Sequence, residues 1–291
     1  MKIGLVYPQT EFGSDPAAIR DYAQLADELG FSHILAYDHV LGVNPDRPGG
    51  LQGPYSFQHG FMEPLTLFSY MAACTNQIQF TTGIIILPQR QTALFAKQAA
   101  TLDVLSKGRL RVGVGLGWNE AEYIALNEDF HTRGQRLEEQ VTVLRQLWTQ
   151  PLVNFNGRWH TIPDAGLNPL PLQQPIPLWF GGTAPAALRR LARLADGWMV
   201  STTRKVADLL PALDLIWRTL DEAGRLRSDF GLEARLVYGD GDPGLWNSQI
   251  EEWKAVGTTH LSFNTMGHGF DTPLKHLAAV QKIAAILESG K

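Results

Sequence analysis

Two hydrophobic rhythms alternate along this chain: short unbroken apolar runs, and longer segments in which apolar positions recur three or four residues apart. The first rhythm fits strands buried on both faces of a parallel sheet, and the second fits helices that cover such a sheet with one stripe. Residues 3–7 form the first run. A helix over 16–29 follows, with Ile19, Tyr22, Ala23, Leu25, Ala26 and Leu29 on its stripe, Asp15 placed to cap it and Gly30 to stop it. Residues 33–37 begin a second strand, and 64–74 read as the next helix. The stretch 81–109 supplies a third strand, broken by Pro88, and a helix with Phe95, Ala96, Ala99, Ala100 and Leu102 among its apolar positions that stops at Lys107 and Gly108. Gly83, inside that third apolar run, marks a bulge or a close approach to the backbone.

The alternation continues through a fourth strand at 109–115, helices at 120–127 and 134–147, and strands at 178–181, 197–201, 233–238 and 260–264. Helices at 185–194, 206–223, 248–255 and 273–287 fall among and after these last strands. Two irregular inserts interrupt it. Residues 38–63 are rich in Gly and Pro and carry Tyr55, Phe57 and Phe61, a composition kept for binding or for a lid; residues 149–177 carry Trp159, His160 and several prolines. Eight alternations without a shift in composition predict an α/β chain, a (β/α)8 TIM-type barrel with loop insertions after strands 2 and 4, as one domain over 1–291.

Length agrees with that reading, since such barrels run to about 250 residues or a little more. The 291 residues hold 25 Lys and Arg against 29 Asp and Glu, a net charge of -4 with both signs scattered, so no basic field points to nucleic acid or an anionic membrane. The single cysteine, Cys74, has no partner for an internal disulfide and reads as buried filler, which fits a reducing cytoplasm. The opening apolar run is too short for a signal peptide, and no segment approaches the ~18 apolar residues of a spanning helix. A soluble, cytoplasmic protein is expected.

In a barrel the loops after the strands converge on one mouth, so candidate chemistry lies just past each strand end. That filter selects Asp38 and His39 after strand two, Gly83, Ile84 and Ile85 in strand three, Gly113, Gly115, Gly117, Trp118 and Asn119 after strand four, Gly181, Gly182 and Thr183 after strand five, and Asn264 after strand eight. The run GVGLGWN has GxGxG spacing rather than GxGxxG, and an amphipathic helix stands where a dinucleotide fold would place its acid-ended strand; a backbone channel for a flat ring suits it better. In FGGTAPAAL, Gly181 and Gly182 expose amides, Thr183 offers a hydroxyl and an N-cap, and Pro185 opens a helix whose dipole favours an anion. The alternatives are a phosphate seat and a capped helix with nothing bound. His39 is either a general base, or partner of a substrate oxygen, or a structural histidine. No HxxxH, HExxH or CxxC metal spacing and no GxSxG elbow occurs; Arg133 and Arg136 could reach an anion, but beside Glu138 and Glu139 they read as surface or loop-fixing ion pairs.

Together, GFSHILAYDHV, FMEPLTLFSYMAACTNQIQFTTGIIILP, AKQAATLDVLSKGRLRVGVGLGWNEAEY, DFHTRGQRLEEQVTVLRQLW and GGTAPAALRRLARLADGW resemble the bacterial luciferase-like flavin monooxygenase and coenzyme F420-dependent oxidoreductase superfamily, over about residues 1–200. The resemblance implies a barrel that binds the deazaflavin F420, or alternatively FMN, at the C-terminal ends of its strands. It also implies a non-prolyl cis peptide at Gly83-Ile84 backing the ring, His39 facing the reactive ring edge, Gly181, Gly182 and Thr183 at the cofactor phosphate, and Trp118 and Asn119 lining the ring or the substrate. Relatives that oxidise sugar phosphates carry a carboxylate where Trp118 stands, so the small-molecule substrate does not carry over. The blocks look closest to the F420 branch, with hydride passing between ring and substrate. A reduced-FMN monooxygenase and a non-catalytic flavin-binding barrel are the competing expectations, and a homodimer is implied.

Overall fold

A computed structural model describes residues 1–51, 53–200 and 205–289. Its strands in chain order are β1 (Lys2–Val6), β2 (His33–Ala36), β3 (Gln79–Thr82), β4 (Ile85–Ile86), β5 (Leu110–Gly115), β6 (Val153–Asn156), β7 (Thr161–Ala165), β8 (Leu178–Gly181), β9 (Gly197–Met199), β10 (Gly231–Val237) and β11 (His260–Asn264). Its α-helices are α1 (Pro16–Glu28), α2 (Pro64–Ala73), α3 (Thr92–Leu105), α4 (Glu120–Ala125), α5 (Arg133–Thr149), α6 (Pro185–Leu194), α7 (Val206–Glu222), α8 (Pro243–Ala255) and α9 (Pro273–Ser289).

Eight parallel strands close on themselves in the order β1, β2, β3, β5, β8, β9, β10, β11. Closure is visible in two registers far apart in sequence: Lys2 faces His260 between β1 and β11, and Phe80 faces Leu110 between β3 and β5. The short β4 resumes the third strand beyond residues 83–84 and pairs Ile85 with Val114 of β5. This is the TIM-type (β/α)8 barrel that the alternation predicts. Helix starts follow the capping signals. Asp15 accepts the Ala17 amide at 3.0 Å, Glu63 the Thr66 amide at 2.7 Å and Asp242 the Gly244 amide at 2.8 Å, each with a proline opening the helix.

The structure departs from expectation in three places. Helix α8 begins at Pro243 and not at 248, because Asp242 caps it. The insert 149–177 holds an antiparallel hairpin, β6 with β7. One carboxylate clasps that hairpin: Glu139 of α5 accepts the amides of Arg158, Trp159 and His160, each at 2.8 Å, and the His160 ring at 2.7 Å. Cys74, at the end of α2, is half-buried and packs against the core from its edge instead of being fully enclosed. The expected end of the sixth strand at Ser201 lies outside the described residues. No described helix is long and apolar enough to cross a membrane.

Inside the barrel the floor is polar. His33, Arg111, Glu233 and Ser262, from four strands, are buried together there. A small apolar cluster of Val6, Leu35, Trp179 and Met199 packs against Tyr37, Ile84 and Met266, which belong to the opposite, C-terminal end.

Candidate active site

At the C-terminal end the third strand breaks its ladder. The Gly83-Ile84 peptide is cis, and the chain rejoins the sheet at Ile85. Gly83 has no room for a side chain, since a Cβ there would lie 2.3 Å from Leu35 Cδ2. The Ile84 side chain fits against two neighbouring strands for the same reason. A Cβ on Gly115 would approach its Cδ1 to 2.6 Å, and a Cβ on Gly181 would approach its Cγ2 to 3.2 Å. Gly115 and Gly181 therefore make room for Ile84. Ile85 points the other way, into the core between barrel and helices.

Above this shelf opens a cavity of about 450 Å³. Tyr37, Asp38 and His39 reach it from the end of β2, Gly83, Ile84 and Ile86 from the shelf, Gly117 and Trp118 from the loop after β5, Arg235 and Val237 from β10, Asn264 from β11, and Pro54 and Tyr55 from the first insert. Mostly apolar walls with a few convergent polar groups are the composition of a small-molecule site. The insert and the loop after β5 surround His39 with aromatic rings: its ring lies 4.8 Å from Phe61, 5.3 Å from Tyr55 and 5.6 Å from Trp118, centroid to centroid.

His39 is held by a carboxylate. Its Nδ1 lies 3.4 Å from Oε1 of the buried Glu122, in the first turn of α4. The same oxygen accepts the amides of Val40 at 2.9 Å and Leu41 at 3.1 Å, and Oε2 accepts from Gln89 at 3.2 Å. Burial opposes ionisation of Glu122, but the bonds from His39, the Leu41 amide and Gln89 outweigh it and hold the carboxyl below its ordinary range. An ionised carboxylate only accepts, which assigns the proton to His39 Nδ1 and leaves Nε2 as the acceptor, the tautomer suited to a base. The sequence reading missed Glu122 because Asn119 followed three residues later by Glu is also the pattern of a helix capping box, whose Glu turns back to the cap.

Other residues selected from sequence have different occupations. Asp38 reaches the cavity, yet its carboxylate faces inward, taking Arg90 at 2.8 Å and the Ile86 amide at 3.0 Å; burial pushes its carboxyl up, against the pull of Arg90 and the Ile86 amide. Asn119 caps α4 through the Ala121 amide at 3.2 Å and donates to the Leu41 carbonyl at 3.0 Å, and it does not line the cavity. It ties the insert to α4. Thr183 is exposed and is not the cap of α6; Ala184 holds that position and brings no side-chain acceptor, so the first turn of α6 is open. Gly182 before it takes a left-handed φ of 128° that a side chain would strain. Arg235, absent from the sequence reading, lines the cavity and donates to the Gly83 carbonyl at 3.0 Å. An inward arginine in a strand gives no signal beyond the alternation of GLEARLV.

A closed parallel barrel with a carboxylate-held histidine over an apolar shelf at its C-terminal mouth places this chain in the TIM-type barrel class. Residues 1–280 match the model of the luciferase-like monooxygenase family. An uncharacterised protein of Mycobacterium tuberculosis is 36% identical over 183 residues, which cover 61% of this chain and 62% of that protein. The chain thus spans under two thirds of the length of this relative. An F420-dependent glucose-6-phosphate dehydrogenase of Microbacterium testaceum is 29% identical, over 82% of this chain and 68% of its own. Among solved structures, a monooxygenase from Streptomyces bottropensis superposes with a TM-score of 0.79 at 20% identity, covering 100% of this chain and 99% of that one. The coenzyme F420-dependent tetrahydromethanopterin reductase of Methanopyrus kandleri gives 0.75 at 17% identity, covering 97% of each. At such identities these two likenesses concern the fold. The chain belongs to the luciferase-like monooxygenase family.

Proposed function

We propose that this protein is an F420-dependent oxidoreductase that passes a hydride between the deazaflavin and a small organic substrate. The observation that carries the reading is the meeting, in one cavity, of the Gly83-Ile84 shelf with the Nε2 side of a carboxylate-held histidine. The choice of cofactor is supported by the relative named as an F420-dependent dehydrogenase, which matches over most of this chain.

The residues present suit a tricyclic ring. Gly83 and Ile84 would back it, with no side-chain bulk on the glycine, and Trp118, Tyr55, Asn264 and Arg235, which line the same cavity, would hold it. Gly181, Gly182, Thr183 and the open first turn of α6 would receive a phosphate, through backbone amides and the helix dipole. The cofactor supplies the redox chemistry when bound; the protein supplies position and proton. His39 Nε2 takes a proton from a substrate hydroxyl as hydride leaves its carbon, or returns one in the reverse direction, and Glu122 stabilises the charge that His39 gains. The aromatic cover of Tyr55, Phe61 and Trp118 keeps water from that proton. A cytosolic homodimer is part of the same proposal and rests on the family resemblance.

A reduced-FMN monooxygenase is the second reading, supported by the match to the luciferase-like monooxygenase family over residues 1–280. Equilibrium titration with F420 and with FMN, followed by oxygen uptake, separates the two. Tight FMN binding with oxygen-dependent turnover and no affinity for F420 would overturn the first.

A further inference from the structure

Beside the cavity that His39 faces lies a second one that the proposed chemistry does not use. It measures about 280 Å³ and opens between the loop after β1, which contributes Gln9, Thr10 and Ser14, and the end of the first insert, which contributes Gly60, Phe61 and Met62. Gln9 splints the two sides: its Oε1 accepts the Tyr37 amide at 2.6 Å, and its Nε2 donates to the Met62 carbonyl at 3.2 Å. Among the described residues nothing charged lines this outer pocket. The charged residues that flank its lining in sequence are carboxylates, Glu11, Asp15 and Glu63, the last held by Arg90 at 3.0 Å. An uncharged chain therefore suits the pocket, and an anion does not.

Phe61 is the partition between the two cavities. It lines the outer one, and its half-buried ring packs on two residues that line the inner one, His39 at 4.8 Å and Tyr55 at 4.9 Å between centroids. Both contacts are edge-on, at 65° and 73°, the arrangement that aromatic pairs favour, so the ring is held there by more than its apolar area. Volume gives the partition its consequence. Sites for drug-sized ligands span about 300–1,000 Å³, and the inner cavity, at about 450 Å³, has to take both a tricyclic ring and the substrate. Little length is left for the substrate before it meets Phe61, although room continues behind that ring.

We propose that Phe61 sets the length of substrate this protein accepts: its ring ends the substrate pocket next to His39 and closes off an uncharged outer pocket into which a longer alcohol or carbonyl compound would otherwise extend. This rests on the reading that His39 serves an alcohol or carbonyl group over a flavin-like ring. Truncating the ring joins the two cavities, so the variant gains substrates, which a residue that only braced the fold could not produce.

The test is F420-dependent turnover of unbranched secondary alcohols of increasing chain length, and of one long alcohol ending in a carboxylate, with calorimetric binding of the matching ketones. Wild type, Phe61→Ala, Phe61→Leu, Ser14→Phe and the Phe61→Ala, Ser14→Phe double variant are compared, with circular dichroism to verify folding. Phe61 touches His39, so its loss lowers turnover of every alcohol, and the reading is the ratio of long to short. In wild type kcat/KM should fall about 10–200-fold once the chain outgrows the inner cavity, the scale of one methylene in a tight pocket. Phe61→Ala should raise the long-to-short ratio at least about tenfold, mostly through KM, and Phe61→Leu should raise it less. The alcohol ending in a carboxylate should gain nothing. Ser14→Phe, which fills the outer pocket from its exposed side, should cancel the gain in the double variant and alone leave the ratio at the wild-type value. An unchanged ratio in both Phe61 variants overturns the proposal, as does a gain that Ser14→Phe leaves intact, or a wild type indifferent to chain length. If no alcohol turns over with F420, the functional reading fails by itself, and the same ratio taken from ketone affinities decides this inference. Binding of no ketone by any of the proteins overturns it as well.

Discussion

Each end of the barrel carries a histidine beside a glutamate. On the floor, His33 Nε2 lies 3.1 Å from Glu233 Oε1 and 2.8 Å from Ser262 Oγ, while Nδ1 lies 2.7 Å from Ser32 Oγ. At the mouth, His39 Nδ1 lies 3.4 Å from Glu122 Oε1 and the ring opens onto the cavity, its side chain 11% exposed. The chemical difference is a third charge. Arg111 stands 2.6 Å from the other Glu233 oxygen, so a permanent cation neutralises that carboxylate, and burial keeps His33 below its ordinary pKa. Among the described residues Glu122 is held by two amides, Gln89 and His39, with no arginine or lysine paired to it. The same residue pair carries a fixed cation on the floor and none at the mouth.

Substitutions on the two sides should fail in different assays. His39→Ala is expected to lower redox turnover by about 10²–10⁴-fold while leaving the fold and cofactor affinity in place. If cofactor binding is unchanged and neither wild type nor variant turns over any substrate, the barrel is a binder. Glu233→Ala should leave Arg111 buried without its partner and cost about 3–5 kcal/mol of stability, read as a lower urea midpoint. A loss under about 1 kcal/mol would mean that the floor behaves like a surface pair. Glu122→Gln removes the charge that steadies His39, and turnover should fall about ten- to a hundredfold with little change in unfolding. Equal losses of activity and stability there would erase the contrast between the two ends.

Acid should find the floor first. Burial, with Arg111 and His33 nearby, lowers His260 to about 3, and burial lowers His33 as well. The unfolded chain takes up protons at both below about 6.5, where the folded chain does not, so stability falls as pH drops from there towards 3. Glu233 adds a lower window: burial opposes its charge, but Arg111 and His33 hold it well below 4.5, and its stabilisation fades as pH falls from 4.5 through that depressed value. Melting temperatures from pH 7 to pH 4 should decline, less steeply in His260→Asn. A flat profile would contradict the assignment. The smallest effect is expected at the phosphate seat, where Thr183→Asp should weaken cofactor binding by a few-fold, on the order of 0.3–1 kcal/mol. Unaltered affinity would move the phosphate elsewhere.

Strands buried on both faces declare themselves as apolar runs, so the barrel was readable from the chain, and so was His39, which stands just past one of those runs. The hairpin of β6 and β7 was not. Its residues are mostly exposed, the apolar alternation of VNFN is only four residues long, and Pro163 lies in its second strand; what fixes it is Glu139, a contact across sequence. Glu122 and Arg235 were hidden for a related reason. Their partners, the amides after His39 and the carbonyl of Gly83, are 81 and 152 residues away, beyond any local pattern. The glycines of GVGLGWN were visible, but their meaning was not: spacing alone does not show that Gly115 yields its space to an isoleucine on another strand.

That last contact bears on how the site can be redesigned. Ile84 occupies the room left by Gly115 and lies close against Gly181, so in this chain the three positions are one packing unit. A designer who enlarges Gly115 has to move or shorten the isoleucine first, whereas at Gly181 a shift of a few tenths of an ångström is enough.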